Sequence, residues 1–381
     1  MSIQEKDTTI LLRDYARDVK ETDRFPQSEL KPILLGLFGE VGSVMATAKK
    51  HHREKDAYAG YRSAVEEELG DALWYLTALC RRLNIGVEEV FSEAVKAGGY
   101  PENIAANDII GQPISHVARA VSVPDLDTTL LKLGEALAAL LSAQDASETL
   151  RDRLRDFVDW YIKALQISAV AFSRVVQTNR TKVRGRFIDP VLSDLPTFDS
   201  QFPEEERIPE KFEIEISQRA SGKCHLRWNG VFIGDPLTDN IQDSDGYRFH
   251  DVFHFAHAAI LHWSPTFRAL IKQKRKSDPI VDEAQDGGRA IVVEEGLTAW
   301  IFARAKELRF FEGIDSVSFD MLKTIQQFVS GYEVESCPLK LWEKAILDGY
   351  NVFRNVRENK SGTVIGDRSA RTIAYKPPRG I

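Results

Sequence analysis

"EEELGDALWY" at Glu66–Tyr75 decides how the first half of this chain is read. Leu69, Leu73 and Leu76 recur there at helical spacing, which predicts a helix with one apolar face. Glu68 and Asp71 sit on that face one turn apart. Upstream, "LLGLFGEVGSVM" at Leu34–Met45 has a similar stripe, Leu34, Leu37, Phe38, Val41 and Met45, with Glu40 inside it. A carboxylate on a buried face is costly unless something positive neutralises it. Three that converge raise one another's pKa unless a cation holds them ionised. Oxygen ligands without histidine or thiolate suit a hard divalent ion, Mg2+ or alternatively Mn2+.

Working outward, helices are expected at Thr8–Glu21, at Ile33–Lys50 with Pro32 in its first turn, at Ser63–Leu83 and at Asn84–Lys96, where "AGGYPEN" (Ala97–Asn103) breaks the last. A weaker echo follows. "LKLGEALAALL" (Leu131–Leu141) sets Glu135 where the first motif has Glu40, and "LRDFVDWYIKALQI" (Leu154–Ile167) repeats the Trp-Tyr pair without the acidic triplet. Residues at about 97–165 therefore read as an insertion or a degenerate repeat. "SRVVQTNRTKVRGRF" (Ser173–Phe187) ends residues 1–188 as a cation-rich helix, and the Pro-rich, acidic stretch 189–211 reads as a linker. The fold expected is mainly α: an all-α bundle, then an α+β domain at 212–381 with a small β-hairpin element.

The segments "LLGLFGEVGSVMATAKK" (Leu34–Lys50) and "EEELGDALWYLTALCRRLNI" (Glu66–Ile85) resemble the MazG-like members of the all-α nucleoside triphosphate pyrophosphohydrolases, whose hallmark is an ExxE pair on one helix and an ExxD pair on the next. Glu40, Glu68 and Asp71 match three of those positions, and Ser43 stands where the second Glu of the first pair would be. The resemblance implies a Mg2+ site at Glu40, Glu68 and Asp71. It also implies hydrolysis of a nucleoside triphosphate to monophosphate and pyrophosphate, with Glu67 and Glu68 as catalytic carboxylates. Lys49, Asn179, Lys182 and Arg186 would hold the phosphates. Ser43 leaves an alternative open: a degenerate nucleotide-binding sensor coupled to a metal-dependent hydrolase or effector in the second domain. Bundles of this kind bury leftover apolar faces against another copy, so a homodimer or higher homo-oligomer is expected.

The second half has its own pattern. "KFEIEIS" (Lys211–Ser217) alternates with period two, and Asn229-Gly230 is a hairpin signal. Helices are expected at Tyr247–Trp263, Arg289–Leu308, Ser318–Gly331 and Leu339–Arg357, with an irregular tail from Glu358. In "HDVFHFAHAAILH" His250, His254 and His257 share a helical face beside Asp251, and "VVEEGLTAW" brings Glu294 and Glu295. Two histidines one turn apart plus a glutamate from another helix form a usable second, transition-metal site. Asp286, Gly287, Gly288 and Arg289 read as an anion-binding approach to a helix. These motifs assign this half to no named family.

The 381 residues carry a formal charge of −7, which argues against extended nucleic-acid binding. Cys80, Cys224 and Cys337 form no CxxC pair, as expected of a reducing compartment. With no apolar run of membrane-spanning length, the expectation is a cytoplasmic protein without membrane contact.

Overall fold

The computed structural model of the chain describes residues 12–97, 123–142 and 147–378. It is mainly α-helical and divides into two compact units, Met1–Ile188 and Asp189–Ile381. The expected helical residues 8–11 and the breaker at 98–103 lie outside the described residues.

The first unit is a bundle of α1 (Leu12–Thr22), α2 (Lys31–Glu54), α3 (Tyr61–Arg82), α4 (Val87–Ala97), α5 (Leu126–Ser142), α6 (Ser147–Ile167) and α7 (Phe172–Phe187). Helix α3 is its axis, touching α2, α7, α1 and α4. Its C-terminal half is therefore buried nearly all round, from Leu69 to Cys80, rather than along one stripe. Trp74 belongs to that core, and its indole Nε1 donates to Thr22 Oγ1 at 3.0 Å. On α2 the buried face runs through Ile33, Leu34, Leu37, Val41, Val44 and Ala48. Phe38 is not on it: at 53% exposure it stands in solvent with Leu35 at 74%. The reason is angular, because residues 37 and 38 are about 100° apart on a helix and only one can face inward. The echo pair α5 and α6 packs against α2 and α4 and supplies core without an acidic centre. Glu135 is exposed and pairs with Lys132 at 2.7 Å, and Tyr161 donates its hydroxyl to the Leu69 carbonyl at 2.8 Å.

The second unit sets a five-stranded antiparallel sheet, order β3-β2-β1-β4-β5, against helices. Its strands are β1 (Lys211–Gln218), β2 (Cys224–Trp228), β3 (Val231–Leu237), β4 (Ser361–Asp367) and β5 (Thr372–Lys376). Positive φ at Asn229 and Gly230 makes the β2–β3 hairpin turn type I′. The tail is thus not irregular: its two strands complete the sheet, with Gly366 opposite Phe212. A Cβ at Gly366 would lie 2.2 Å from the Phe212 ring, so glycine is what lets that ring lie across the sheet. The helices are α8 (Asp251–Ala256, continued as a π-helical turn to Leu261), α9 (Pro265–Ile271), α10 (Pro279–Ala284), α11 (Gly288–Glu307), α12 (Phe319–Phe328) and α13 (Leu339–Asn359).

The supposed linker 189–211 is anchored in this unit's core by Leu195, Phe202 and Ile208. Within it, buried Asp199 pairs with Arg268 and Arg368, each at 2.7 Å. In the approach at Asp286, the fully buried carboxylate is held within the unit, accepting from Arg275 Nη2 at 2.7 Å and Nε at 3.0 Å. Burial makes that pairing obligatory, since an isolated ion there would be strongly disfavoured.

Candidate metal and phosphate site

Helix α2 carries Glu40, and α3 carries Glu66, Glu67, Glu68 and Asp71. The two helices pack closely because Gly36 has no side chain: a Cβ there would sit 2.1 Å from the Tyr75 ring. Oxygen atoms of Glu40, Glu68 and Asp71 lie within 4.8 Å of one another, all three residues half-buried. Across from them runs α7. It can approach α3 because Gly70 faces Asn179, where a Cβ would already be 3.0 Å from the Asn179 Cβ.

Helix α7 brings two polar groups to the carboxylates. Asn179 Nδ2 donates to Asp71 Oδ1 at 2.8 Å, and its own Oδ1 accepts from the Tyr15 hydroxyl at 2.6 Å, which fixes the amide's orientation. Lys182 Nζ donates to Asp71 Oδ2 at 2.5 Å and to Glu67 Oε1 at 2.8 Å. Further along, Thr178 donates to Glu66 at 2.7 Å and Arg174 approaches it at 3.5 Å. The opposite face of α7 binds α1 through Arg180 and Arg184, both on Asp18. The neighbourhood thus holds more carboxylates than cations. Burial, then repulsion from Asp71 and Glu68, pushes the Glu40 carboxyl up to about 8, with Lys182 opposing. An all-oxygen donor set with excess negative charge fits Mg2+ or Mn2+.

Of the residues expected to touch phosphate, Asn179 and Lys182 both donate to Asp71. Lys49 is exposed and nine residues past Glu40 on α2, a rise of about 13 Å. Arg186 lies at the end of α7 over the Phe187 ring, 5.5 Å from its centroid. Glu67 joins through Lys182. Ser43 is half-buried one turn beyond Glu40 and brings no charge. Tyr15 was missed by sequence reasoning, since its partner Asn179 is 164 positions away.

A second constellation lies in the other unit, between α8 and α11. His250 Nε2 is 3.5 Å from Glu295 Oε2, and His254 Nε2 is 3.3 Å from Glu295 Oε1. His254 Nδ1 and His257 Nδ1 lie 3.0 Å and 2.9 Å from Glu294 Oε1. Glu294 Oε2 accepts from Ser264 Oγ and the Thr266 amide, each at 3.0 Å. Burial favours a neutral Glu294, yet His254 and His257 overcome it and bring its carboxyl down to about 2. Asp251, buried and 3.8 Å from His250 Nε2, is pushed up by burial.

Residues 193–379 match a family described as the MazG C-terminal domain. The second unit is thus similar to that domain over just under half of the chain. The match does not reach the first unit, whose likeness rests on Glu40, Glu68 and Asp71. No curated protein and no solved structure matches the chain. Among the described residues no helix is long and apolar enough to cross a membrane.

Proposed function

We propose that this chain is a cytoplasmic, Mg2+-dependent nucleoside triphosphate pyrophosphohydrolase working as a homodimer or larger homo-oligomer. The observation that carries the reading is the convergence of Glu40, Glu68 and Asp71 opposite Lys182 and Asn179. Glu40, Glu68 and Asp71 would hold the ion. When bound, Mg2+ neutralises the carboxylates and polarises phosphoryl oxygens. Lys182 supplies the positive charge that the phosphate tail needs, exchanging part of its contact with Glu67 and Asp71 for phosphate oxygens. That exchange frees Glu67 to accept a proton from the attacking water. Water's oxygen bonds to phosphorus, the bridging P–O bond between α and β phosphates breaks, and monophosphate and pyrophosphate leave. The relation of the second unit to MazG supports this reading, and so does the motif resemblance of the first.

The test is a panel of ribo- and deoxyribonucleoside triphosphates with Mg2+ or Mn2+, read as monophosphate plus pyrophosphate. The expected result is metal-dependent release of both in equal amounts, with Glu68→Gln slower by about 10²-fold or more. Nucleotide binding without turnover would instead favour the sensor reading that Ser43 leaves open.

A further inference from the structure

We propose that the second unit holds a transition-metal ion, Zn2+ by preference, on His250 Nε2, His254 Nε2 and the Glu295 carboxylate. The inference goes beyond the proposed hydrolysis in the first unit. It rests on how each ring nitrogen is used. His250 Nδ1 faces the Tyr247 carbonyl at 2.9 Å, and since a carbonyl only accepts, Nδ1 carries the proton and Nε2 keeps a lone pair. His254 turns Nδ1 toward Glu294 at 3.0 Å, so its Nε2 faces the Glu295 oxygens. A backbone carbonyl and a buried carboxylate behind two imidazoles are the outer partners that orient metal-ligating histidines.

Distances separate this arrangement from a simple ion pair. Hydrogen bonds of this type fall at about 2.7–3.2 Å. The Nε2-to-Glu295 separations are 3.3 and 3.5 Å, and among the described residues neither nitrogen of the fully buried His254 has an aligned acceptor. Two ligand atoms bound at 2.0–2.1 Å across a tetrahedral ion are about 3.4 Å apart. Glu294 is no ligand in this scheme. Its oxygens are engaged by His257, Ser264 and the Thr266 amide, and His254 Nδ1 lies 3.0 Å from one of them, so it backs the histidines rather than facing the ion. The Glu295 side chain, 38% exposed, keeps one side of the site open to solvent, leaving a coordination position for water or a substrate oxygen.

The experiment strips the full-length chain with a chelator and titrates it with Co2+ alone, reading the visible d–d band of a nitrogen-ligated ion. The band is expected to saturate at one equivalent of nitrogen-ligated Co2+, with Zn2+ bleaching it. Both His250→Ala and Glu295→Gln should weaken Co2+ binding by more than the roughly 10- to 100-fold that losing an outer partner costs. Glu295→Gln keeps shape at a half-exposed position, so circular dichroism should show a folded protein. Glu68→Gln, in the other unit, should leave the band unchanged. A missing band in the unsubstituted chain would overturn the proposal. So would a band that survives in folded Glu295→Gln or disappears in Glu68→Gln.

Discussion

At Glu40 burial, Asp71 and Glu68 all favour the protonated carboxyl, and only Lys182 opposes them, so its pKa stands at about 8 against an ordinary 4.5. The folded-state value lies above the unfolded one, so folding binds this proton. Its contribution to stability is complete below about 4.5 and is lost as pH rises through 8. In the absence of divalent ions, Glu40→Gln should therefore become progressively more stable than the unsubstituted chain between those limits. Mg2+ should narrow the gap by stabilising the ionised carboxylate. Thermal melts across pH with and without Mg2+ check this; parallel profiles would contradict it. Lys182 is the other residue on which the site turns, since it faces Glu67 and Asp71 together. Lys182→Ala should cost about 10²- to 10³-fold in kcat/KM by the loss of a preorganised charge. Steady-state kinetics with a good substrate would show it. These carboxylates were legible in the sequence because helical spacing alone put Glu68 and Asp71 on one face. The pairing of Asn179 with Tyr15 was not legible, because charge and neighbourhood in sequence do not say which distant side chain a polar group meets.

Between elements, the close approach of α3 and α7 sets the site, and Gly70 permits it. A Cβ at Gly70 would be 3.0 Å from Asn179 Cβ and 3.4 Å from the Val175 carbonyl. Gly70→Val adds more than a Cβ and should push Asn179 and Lys182 away from Asp71. It should cost about 1–3 kcal/mol of stability and lower activity more than that loss explains, measured as kcat/KM at a temperature where the variant is folded. The helices of the first unit were readable because their apolar residues repeat every third or fourth position. Strands β4 and β5 were not. The buried positions of β4 are Gly362, Val364 and Gly366, so two of its three inward residues carry no side chain and the period-two signal disappears. Helix α8 was foreseen as one helix through Trp263, but a π-helical turn at His257–Leu261 ends it at His262, which adopts the left-handed conformation at φ 60.

Across the whole chain, two separate hydrophobic cores form, one in each unit. The second is pinned by buried ion pairs, most of them between residues far apart in sequence: Asp199 with Arg268 and Arg368, Arg275 with Glu333 and with the nearer Asp286. Such pairs leave no local trace, which is why 189–211 resembled a linker. Gly366→Ala should drive a Cβ into the Phe212 ring and destabilise the second unit by about 1–3 kcal/mol. Calorimetry should show the transition of that unit shifted down with the other unchanged. The central claim concerns the first unit, that its clustered carboxylates hold a divalent ion against a triphosphate. Its most direct measurement is pyrophosphate release from nucleoside triphosphates by the chelator-stripped chain before and after Mg2+ is restored, alongside Asp71→Asn. The account predicts release only with Mg2+ and a loss of about 10²-fold or more in the variant. Turnover that ignores both the ion and the substitution would contradict it.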